Sequence, residues 1–404
     1  MKLLNIVFLF LTSLLLSSCS SKDSVEVFEE ELILSSISKF SKEQGTQSVT
    51  ITSNLDWTVV DEINWITITP SSTGSNNGSI NVTVDANPTY NERSGVVKVL
   101  GGNISRSIII TQEPKEADNV PIGDLNPNKA PSENFNLSTW NLSIPVNQGN
   151  GTAKTIMVSQ LNDKYENSTY FYTADDGGMV FKCPVNGFKT SANTSYTRVE
   201  LREMLRGTNT SISTKGVNKN NWVFGTAPTE EKNAAAGFDG EMNATLAINH
   251  VTTTGSDGHV GRVVIGQIHA NDDEPVRIYY RKLKDNSLGS IYFAHEPTDG
   301  NGNEQWYEII GSKSNNASNP TEGIALNEKF SYIIKVVGDS LTVTIKRGGK
   351  EDVVKTINMV NSGFNKGGQY MYFKAGLYHL NNSGDDDDFA QVTFYQLQKS
   401  HTTN

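Results

Sequence analysis

Apolar and polar residues alternate with a period of two through most of the chain. Representative segments are residues 48–53 (SVTITS), 78–84 (GSINVTV), 179–182 (MVFK), 276–280 (VRIYY) and 341–346 (LTVTIK). This period places successive side chains on opposite faces of a β-strand. The segments are short and bounded by Gly, Asn and Ser, and patterns with a helical period are scarce. The pattern predicts an all-β protein.

The spacing of these segments predicts two folded regions. Residues 32–114 hold a few short strands and predict a small immunoglobulin-like β-sandwich. Residues 115–133 contain three prolines and no apolar period, which indicates a linker. Residues 134–400 hold enough strands for two large packed sheets, and we expect a β-jelly-roll there.

The N-terminus has the layout of a targeting signal. Residues 1–18 carry Lys2 and then an apolar stretch too short for a comfortable membrane span. The end of this stretch, Leu16-Ser-Ser-Cys19, resembles a bacterial lipobox, which implies lipidation at Cys19. Residues 19–31 are polar and acidic and predict a tether. The expected location is the bacterial envelope, at the outer membrane or cell surface; the alternative is an ordinary secretory signal.

Charge and cysteine content narrow the function. The chain has 34 Lys and Arg against 44 Asp and Glu, a net charge of −10. Such an acidic protein binds nucleic acid poorly, and an anionic substrate would need a local basic patch. If Cys19 belongs to the targeting segment, Cys183 stands alone, so we expect it to be a buried apolar residue without a disulfide.

Three strand-like segments could form that basic patch, because each places polar residues two positions apart. The aligned residues are Arg198, Glu200 and Arg202; Gln267 and His269; and Tyr372, Lys374, Gly376 and Tyr378. If the three strands are neighbours, these side chains share one face, and we expect Glu200 to brace both arginines. Read singly, each segment could instead be a surface ion-pair ladder, a surface histidine or aromatic packing.

Taken together, these segments carry a family resemblance. Residues 198–202 (RVELR), 267–269 (QIH) and 372–378 (YFKAGLY) resemble, in order and character, the three signature regions of alginate lyases of polysaccharide lyase family 7. Residues 135–145 are similar to that domain's opening strand. The chain departs from the family pattern at Val199, where Ser or Thr is frequent, and at His379-Leu380, where Asn-Gln is frequent. Val199 is expected to point away from the cleft, and the departure at His379-Leu380 concerns outer substrate contacts more than the chemistry.

The first region resembles a BACON-type domain. The resemblance rests on residues 54–57 (NLDW), 65–70 (WITITP) and 110–113 (ITQE). Such modules often precede carbohydrate-active domains. Two readings stay open: the region binds glycan, or it is a spacer whose Trp57 and Trp65 are core residues.

The family resemblance implies a β-elimination on alginate, a polymer of mannuronate and guluronate. Arg198, Gln267 and His269 would neutralise the sugar carboxylate, and Tyr378 would protonate the leaving oxygen. His269 is the expected base for guluronate and Tyr378 for mannuronate, with the Tyr378 pKa lowered by its cationic neighbours. The resemblance further assigns substrate binding to Glu200, Arg202, Lys374 and Tyr372.

The same resemblance implies the remaining properties. The segment Gln-Ile-His is associated in the family with guluronate-containing blocks. The scheme needs no cofactor or metal, although the loop Asp385–Asp388 could bind Ca²⁺ if it is not simply solvated. The expected partners are alginate or its oligosaccharides and a membrane reached through the N-terminal lipid, and the expected state is a monomer. The alternatives are a lyase for another polyuronate, such as glucuronan, and a non-catalytic glycan-binding lipoprotein.

Overall fold

The computed structural model describes residues 29–61, 63–70, 72–87, 93–113 and 125–403. The chain divides into two compact units, residues 1–115 and 116–404. The predicted signal segment, Cys19 and most of the predicted tether lie outside the described residues. No helix among the described residues has the length and apolar character that a membrane crossing requires.

The first unit is a small sandwich of two four-stranded sheets. The strict alternation in its sequence puts every second side chain into the core. Trp57 is buried there, and Trp65 packs against the same core beneath the Arg93 guanidinium. The strands are β1 Leu32–Leu34, β2 Gly45–Ser53, β3 Asp56–Val60, β4 Ile66–Thr69, β5 Thr73–Ser75, β6 Gly78–Val84, β7 Arg93–Gly101 and β8 Ile104–Gln112. The strand order is β1-β2-β6-β4 in one sheet and β5-β3-β7-β8 in the other.

Among the described residues of the second unit, the regular secondary structure is almost entirely β-strand, with three short helices. The helices are α1 Pro131–Asn134, α2 Val158–Leu161 and α3 Thr229–Ala234. The strands are β9 Trp140–Asn147, β10 Ala153–Ile156, β11 Phe171–Thr173, β12 Met179–Pro184, β13 Arg198–Glu203, β14 Trp222–Val223, β15 Gly237–His250, β16 Arg262–His269, β17 Val276–Arg281, β18 Leu288–His295, β19 Gln305–Ile310, β20 Ile324–Ala325, β21 Lys329–Val337, β22 Ser340–Arg347, β23 Val353–Asn358, β24 Tyr372–His379 and β25 Phe389–Thr402.

These strands form two large sheets, as the sequence predicts for a jelly roll. The first runs β10-β9-β13-β24-β16-β17-β18-β19, with β20 paired to β18. The second runs β11-β12-β25-β15-β21-β22-β23, with β14 paired to β15. One large apolar cluster lies between them and takes side chains from both sheets, such as Leu201 and Phe373 from the first and Leu246 and Phe394 from the second. The predicted all-β jelly roll is confirmed.

Parts of both predicted connecting segments are built into the folded units. At the end of the tether, the Glu31 carbonyl accepts a hydrogen bond from Ser53 Oγ at 2.7 Å. In the second half of the linker, Leu125 packs against the core of the second unit. Pro131 is the first residue of α1, a position where its fixed φ and missing N–H are well tolerated. This proline marks a helix start rather than a free linker.

Candidate active site

The three polar segments lie side by side in the first sheet. β24 is the middle strand, with β13 on one side and β16 on the other. Tyr378 is opposite Arg198, and Lys374 is opposite both Arg202 and Gln267. Tyr372 is opposite His269. The predicted adjacency of the three strands is confirmed.

Alternation separates the two faces of these strands as expected. Val199 and Leu201 from β13 and Ile268 from β16 belong to the core, so their polar neighbours face away from it. Gly376, which alternation assigns to the polar face, has φ +125°, a conformation that residues with a side chain rarely adopt. A Cβ at this position would come within 2.9 Å of the Phe181 ring and the Val199 carbonyl. A side chain here would enter the space of the core residue Phe181, so only glycine fits, and the expected projection of position 376 onto the polar face is wrong.

Glu200 is the hub of the groove. Its Oε2 lies 3.0 Å from Arg198 Nη1 and 2.5 Å from Lys374 Nζ, and its Oε1 accepts a hydrogen bond from Gln267 Nε2. Burial alone would raise the pKa of this carboxyl, but Lys374 and Arg198 outweigh burial and lower the pKa below its ordinary value. Glu200 is therefore a buried carboxylate that fixes three hydrogen-bond donors.

This arrangement corrects the expected pairing of Glu200 with both arginines. Arg202 Nη2 instead donates to the Thr214 carbonyl at 2.9 Å, and its guanidinium lies 4.0 Å above the Tyr372 ring. Glu200 itself is 2% exposed, so it supports the groove from below. Alternation predicts which face a side chain occupies but not which neighbour it contacts.

The cations make the groove positive although the chain is acidic. Arg198 and Lys374 pair with the buried carboxylate of Glu200, and Arg202 adds a third cation above the Tyr372 ring. Burial lowers the pKa of Lys374 to about 8, and Arg198 adds to that shift while Glu200 opposes it. The ammonium group is thus charged at neutral pH but close to losing its proton.

Tyr378 lies at one end of this cluster. The Arg198 guanidinium is 3.9 Å above its ring, and the Tyr196 ring packs edge-on at 6.1 Å. Burial raises the pKa of Tyr378, and the opposing effect of Arg198 does not cancel the increase. The expectation of a lowered Tyr378 pKa is wrong, because desolvation outweighs the effect of the Arg198 cation. Its phenol is therefore a proton donor rather than a base at neutral pH.

His269 is the last residue of β16 and lies opposite Tyr372 of β24. Its ring stacks on Tyr372 with centroids 5.1 Å apart and planes 11° apart. Nδ1 lies 2.7 Å from the Ala270 carbonyl, so this nitrogen carries the proton and Nε2 is the acceptor in the neutral ring. Burial, followed by Lys374, lowers the pKa of His269 to about 3. The imidazole is neutral at physiological pH and has the protonation state of a base.

Two ionisable residues that lie near His269 were not identified from the sequence. Glu274 Oε1 lies 3.2 Å from His269 Nε2, and Arg277 Nη1 lies 3.3 Å from Glu274 Oε2. Burial raises the pKa of Glu274 to about 7, although Arg277 opposes it. With the His269 Nδ1 proton committed to Ala270, the contact at Nε2 requires a proton from Glu274. The acidic run at residues 272–274, in the turn just after the Gln-Ile-His strand, is the signal that could have located it.

The acidic loop is tied down by hydrogen bonds. Asp388 Oδ2 accepts from the Thr253 N–H, the Thr254 N–H and Thr254 Oγ1 at 2.7–3.0 Å. Asn186 donates to Asp386. Within the described part of the chain, no group of three or more His, Cys, Asp or Glu side chains could hold a metal ion.

Comparison with known proteins identifies both units. Residues 135–401 match the alginate lyase family model, and residues 25–115 match the viral BACON domain model. An alginate lyase from Klebsiella pneumoniae is 55% identical over 280 residues, which span 67% of this chain and 91% of that protein.

Solved structures agree with this assignment. The crystal structure of the alginate lyase from Klebsiella pneumoniae has a TM-score of 0.67 and 53% identity, covering 67% of this chain and 98% of that one. An exolytic family 7 alginate lyase from Zobellia galactanivorans has a TM-score of 0.52 at 22% identity, covering 69% of this chain and 99% of that one, and shows the shared fold alone. The chain belongs to the alginate lyases of polysaccharide lyase family 7.

Proposed function

We propose that the groove of the second unit cleaves alginate by β-elimination and favours guluronate-containing blocks. The observation that carries the proposal is a positive, donor-rich floor centred on Glu200, which also carries a neutral histidine and a protonated tyrosine. β-Elimination needs these three elements: a carboxylate binder, a base and an acid.

The carboxylate binder lowers the main barrier. Removing the C5 proton adds negative charge beside a sugar carboxylate, so the site must neutralise that group. Arg198 and Gln267, held by Glu200, would donate to the carboxylate as the enediolate forms. Fixed donors of this kind contribute about 10²–10³-fold each in comparable sites.

The base and acid complete the reaction. His269 Nε2 would exchange its contact with Glu274 for the C5 proton of guluronate. The electron pair forms the C4=C5 double bond, the C4–O4 bond breaks, and the Tyr378 hydroxyl protonates O4. Solvent then restores the tyrosine proton and takes the proton from the imidazolium. General acid–base groups contribute about 10²–10⁴-fold.

The protonation states support the guluronate preference. Mannuronate presents its C5 proton on the opposite side of the ring, where Tyr378 would have to act as the base. Burial raises the pKa of Tyr378, which disfavours the phenolate needed for that role. His269 is neutral and can accept the guluronate proton directly.

The test measures the absorbance of unsaturated products from polyguluronate, polymannuronate and glucuronan. The wild type is expected to be fastest on polyguluronate. Tyr378→Phe should lose at least about 100-fold on any alginate block, whereas His269→Ala should lose more on polyguluronate than on polymannuronate. Full activity in either variant contradicts its assigned role. Faster cleavage of glucuronan would indicate another polyuronate, and binding without cleavage would indicate a glycan-binding protein.

We also propose that the protein is anchored to the bacterial envelope by a lipid at Cys19, as a monomer with its groove in solution. The support is the Leu16-Ser-Ser-Cys19 segment that follows the apolar stretch. Cys19→Ala should move the protein from the membrane fraction to the soluble fraction and abolish labelling by a fatty-acid analogue. Membrane association that survives this change would contradict a lipid at this position.

A further inference from the structure

A second apolar cluster lies on the groove face of the first sheet, apart from the main core. Its members are Val264, Tyr279, Tyr292, Ala294 and Leu380, which are buried, and Tyr196, Trp306 and Tyr378, which are partly buried. Since Tyr378 is a member, this cluster is an extension of the proposed catalytic groove. An apolar wall beside a charged groove suits a ligand that has both apolar and charged surfaces.

Trp306 is connected to the proposed catalytic residues by the strand register. Gln267 on β16 is opposite Arg277 on β17, which is opposite Ala294 on β18, which is opposite Trp306 on β19. Three strand spacings separate Gln267 from Trp306, about 14 Å across the sheet. Between them lie the small Ala294 and Arg277, whose guanidinium is paired with three glutamates. A polymer lying across the strands from Gln267 would therefore reach Trp306.

The Trp306 ring is supported from below. Tyr279 and Tyr292 stack on each other with centroids 5.0 Å apart and planes 12° apart. The Trp306 ring lies 5.1 Å from Tyr279 and 5.9 Å from Tyr292, tilted by 51° to each. Both tyrosines are buried, whereas Trp306 keeps part of its surface exposed. The indole is thus held in one orientation at the groove surface.

A lysine accompanies this ring on a fixed loop. Lys313 Nζ lies 5.2 Å from the Trp306 ring centroid, and its side chain is exposed. The Lys313 N–H donates to Glu308 Oε1 at 2.8 Å, and its carbonyl accepts from Arg281 Nη1 at 2.9 Å. Arg281 also donates to Asn315 Oδ1 at 2.8 Å. The ammonium is therefore presented from an anchored backbone.

We infer that Trp306 and Lys313 form a distal subsite for one uronate unit of the substrate chain. The C–H face of the sugar ring would stack on the exposed indole, and the carboxylate would bind the Lys313 ammonium. The inference rests on the proposed function, because it places this sugar on the same polymer that crosses Gln267. The subsite contributes binding energy to long substrates and leaves the reacting bonds untouched.

The opposite face of the same strand provides a matched control. Tyr307 stacks on Phe293 with centroids 4.9 Å apart and packs against the main core. Lys355 Nζ lies 5.5 Å from the Tyr307 ring. This cation–aromatic distance is similar to that between Lys313 and Trp306, but the pair lies away from the groove. Loss of Lys355 therefore removes a similar cation–aromatic contact without touching the subsite.

The experiment compares kinetics on long polyguluronate and on the shortest oligosaccharide that the wild type cleaves. Trp306→Leu keeps apolar volume but removes the flat ring, and Lys313→Ala removes the charge. Each is expected to raise KM for the polymer about tenfold, equal to about 1.4 kcal/mol, with kcat within about twofold. KM for the shortest substrate should stay unchanged. Trp306→Phe should recover part of the loss, and Lys355→Ala should behave as wild type.

Unchanged KM for the polymer in both Trp306→Leu and Lys313→Ala would overturn the subsite. An equal KM increase for the shortest substrate would also overturn it, because the effect would then be general. If thermal scans show that Trp306→Leu is misfolded, Lys313→Ala alone tests the subsite, because the Lys313 side chain is exposed. If the wild type does not cleave alginate, the proposed lyase function is wrong. Calorimetric binding of polyguluronate oligosaccharides to the same variants then tests the subsite independently of catalysis.

Discussion

Two buried glutamates on β13, three positions apart, lie on opposite faces of the first sheet. Glu200 faces the groove and receives Arg198, Lys374 and Gln267, which all belong to that sheet. Glu203 faces the interior and receives Lys399 Nζ at 2.7 Å and His401 Nε2 at 2.8 Å from β25 of the second sheet.

The comparison shows that a buried carboxylate has a different role between the sheets and beneath the groove. The Glu203 partners come from the opposing sheet, so this cluster fastens the two sheets together. The Phe373 N–H also donates to Glu203, at 3.0 Å. The Glu200 partners all come from its own sheet, so this cluster orients donors towards the groove. The first arrangement contributes chiefly to stability and the second chiefly to chemistry.

The largest expected effect concerns Glu203. Glu203→Gln removes the buried charge that pairs with Lys399 and contacts His401, and breaking such a cluster costs about 3–5 kcal/mol. Calorimetric unfolding should show the transition of the second unit moved to lower temperature, with the first unit as an internal reference. Activity of the folded protein well below that transition should be retained. A stable but inactive variant would remove the distinction between the two glutamates.

The pH dependence of this cluster has a defined sign. Burial would raise the pKa of Glu203, but Lys399 and His401 outweigh it and lower the pKa from 4.5 to about 2. Its stabilising effect is therefore complete above pH 4.5 and is lost as the pH falls towards 2. Glu203→Gln should remove this part of the acid sensitivity.

The next effect concerns Glu200. Glu200→Gln keeps the shape of the side chain but releases Arg198 and Lys374, so the donors lose their fixed positions. We expect kcat/KM on alginate to fall about 10²–10³-fold, with a smaller change in unfolding temperature than Glu203→Gln shows. Rates from unsaturated-product absorbance provide the measurement. Wild-type kinetics in Glu200→Gln would mean that the groove cations do not need this carboxylate.

The smallest effect is the response of Lys374 to pH. Burial lowers the pKa of Lys374 to about 8, so its charge is present below that pH and lost above it. KM for the polyanionic substrate should therefore rise above pH 8, by at most about tenfold per pH unit. Lys374→Arg keeps the charge at alkaline pH and should move this rise upwards. A KM that is flat through pH 9 in the wild type would contradict the role of the lysine charge.

Much of the fold and part of the groove followed from alternation alone. A period of two predicts which side chains of one strand share a face, and the family resemblance indicated that the strands of Arg198, Gln267 and Tyr378 meet in one site. Short strands between turn residues also predicted two β-regions. These features depend on the local sequence, so they can be read without knowledge of distant contacts.

The remaining features depend on distant contacts. The contact between Glu203 and His401 joins residues 198 positions apart, and no local pattern marks it. Arg202 pairs with Thr214 instead of Glu200 because the loop after β13 folds back over it. The raised pKa of Tyr378 reflects the balance between burial and one cation, which requires coordinates.

The position of β25 has a consequence for biosynthesis. This strand lies between β12 and β15 in the second sheet, although its residues, Phe389–Thr402, come at the end of the chain. Until the ribosome has made them, β12 and β15 have no strand to join them. Pairings this distant in sequence also form slowly. The second sheet is therefore complete only after translation of β25, whereas the described strands of the first unit end at Gln112.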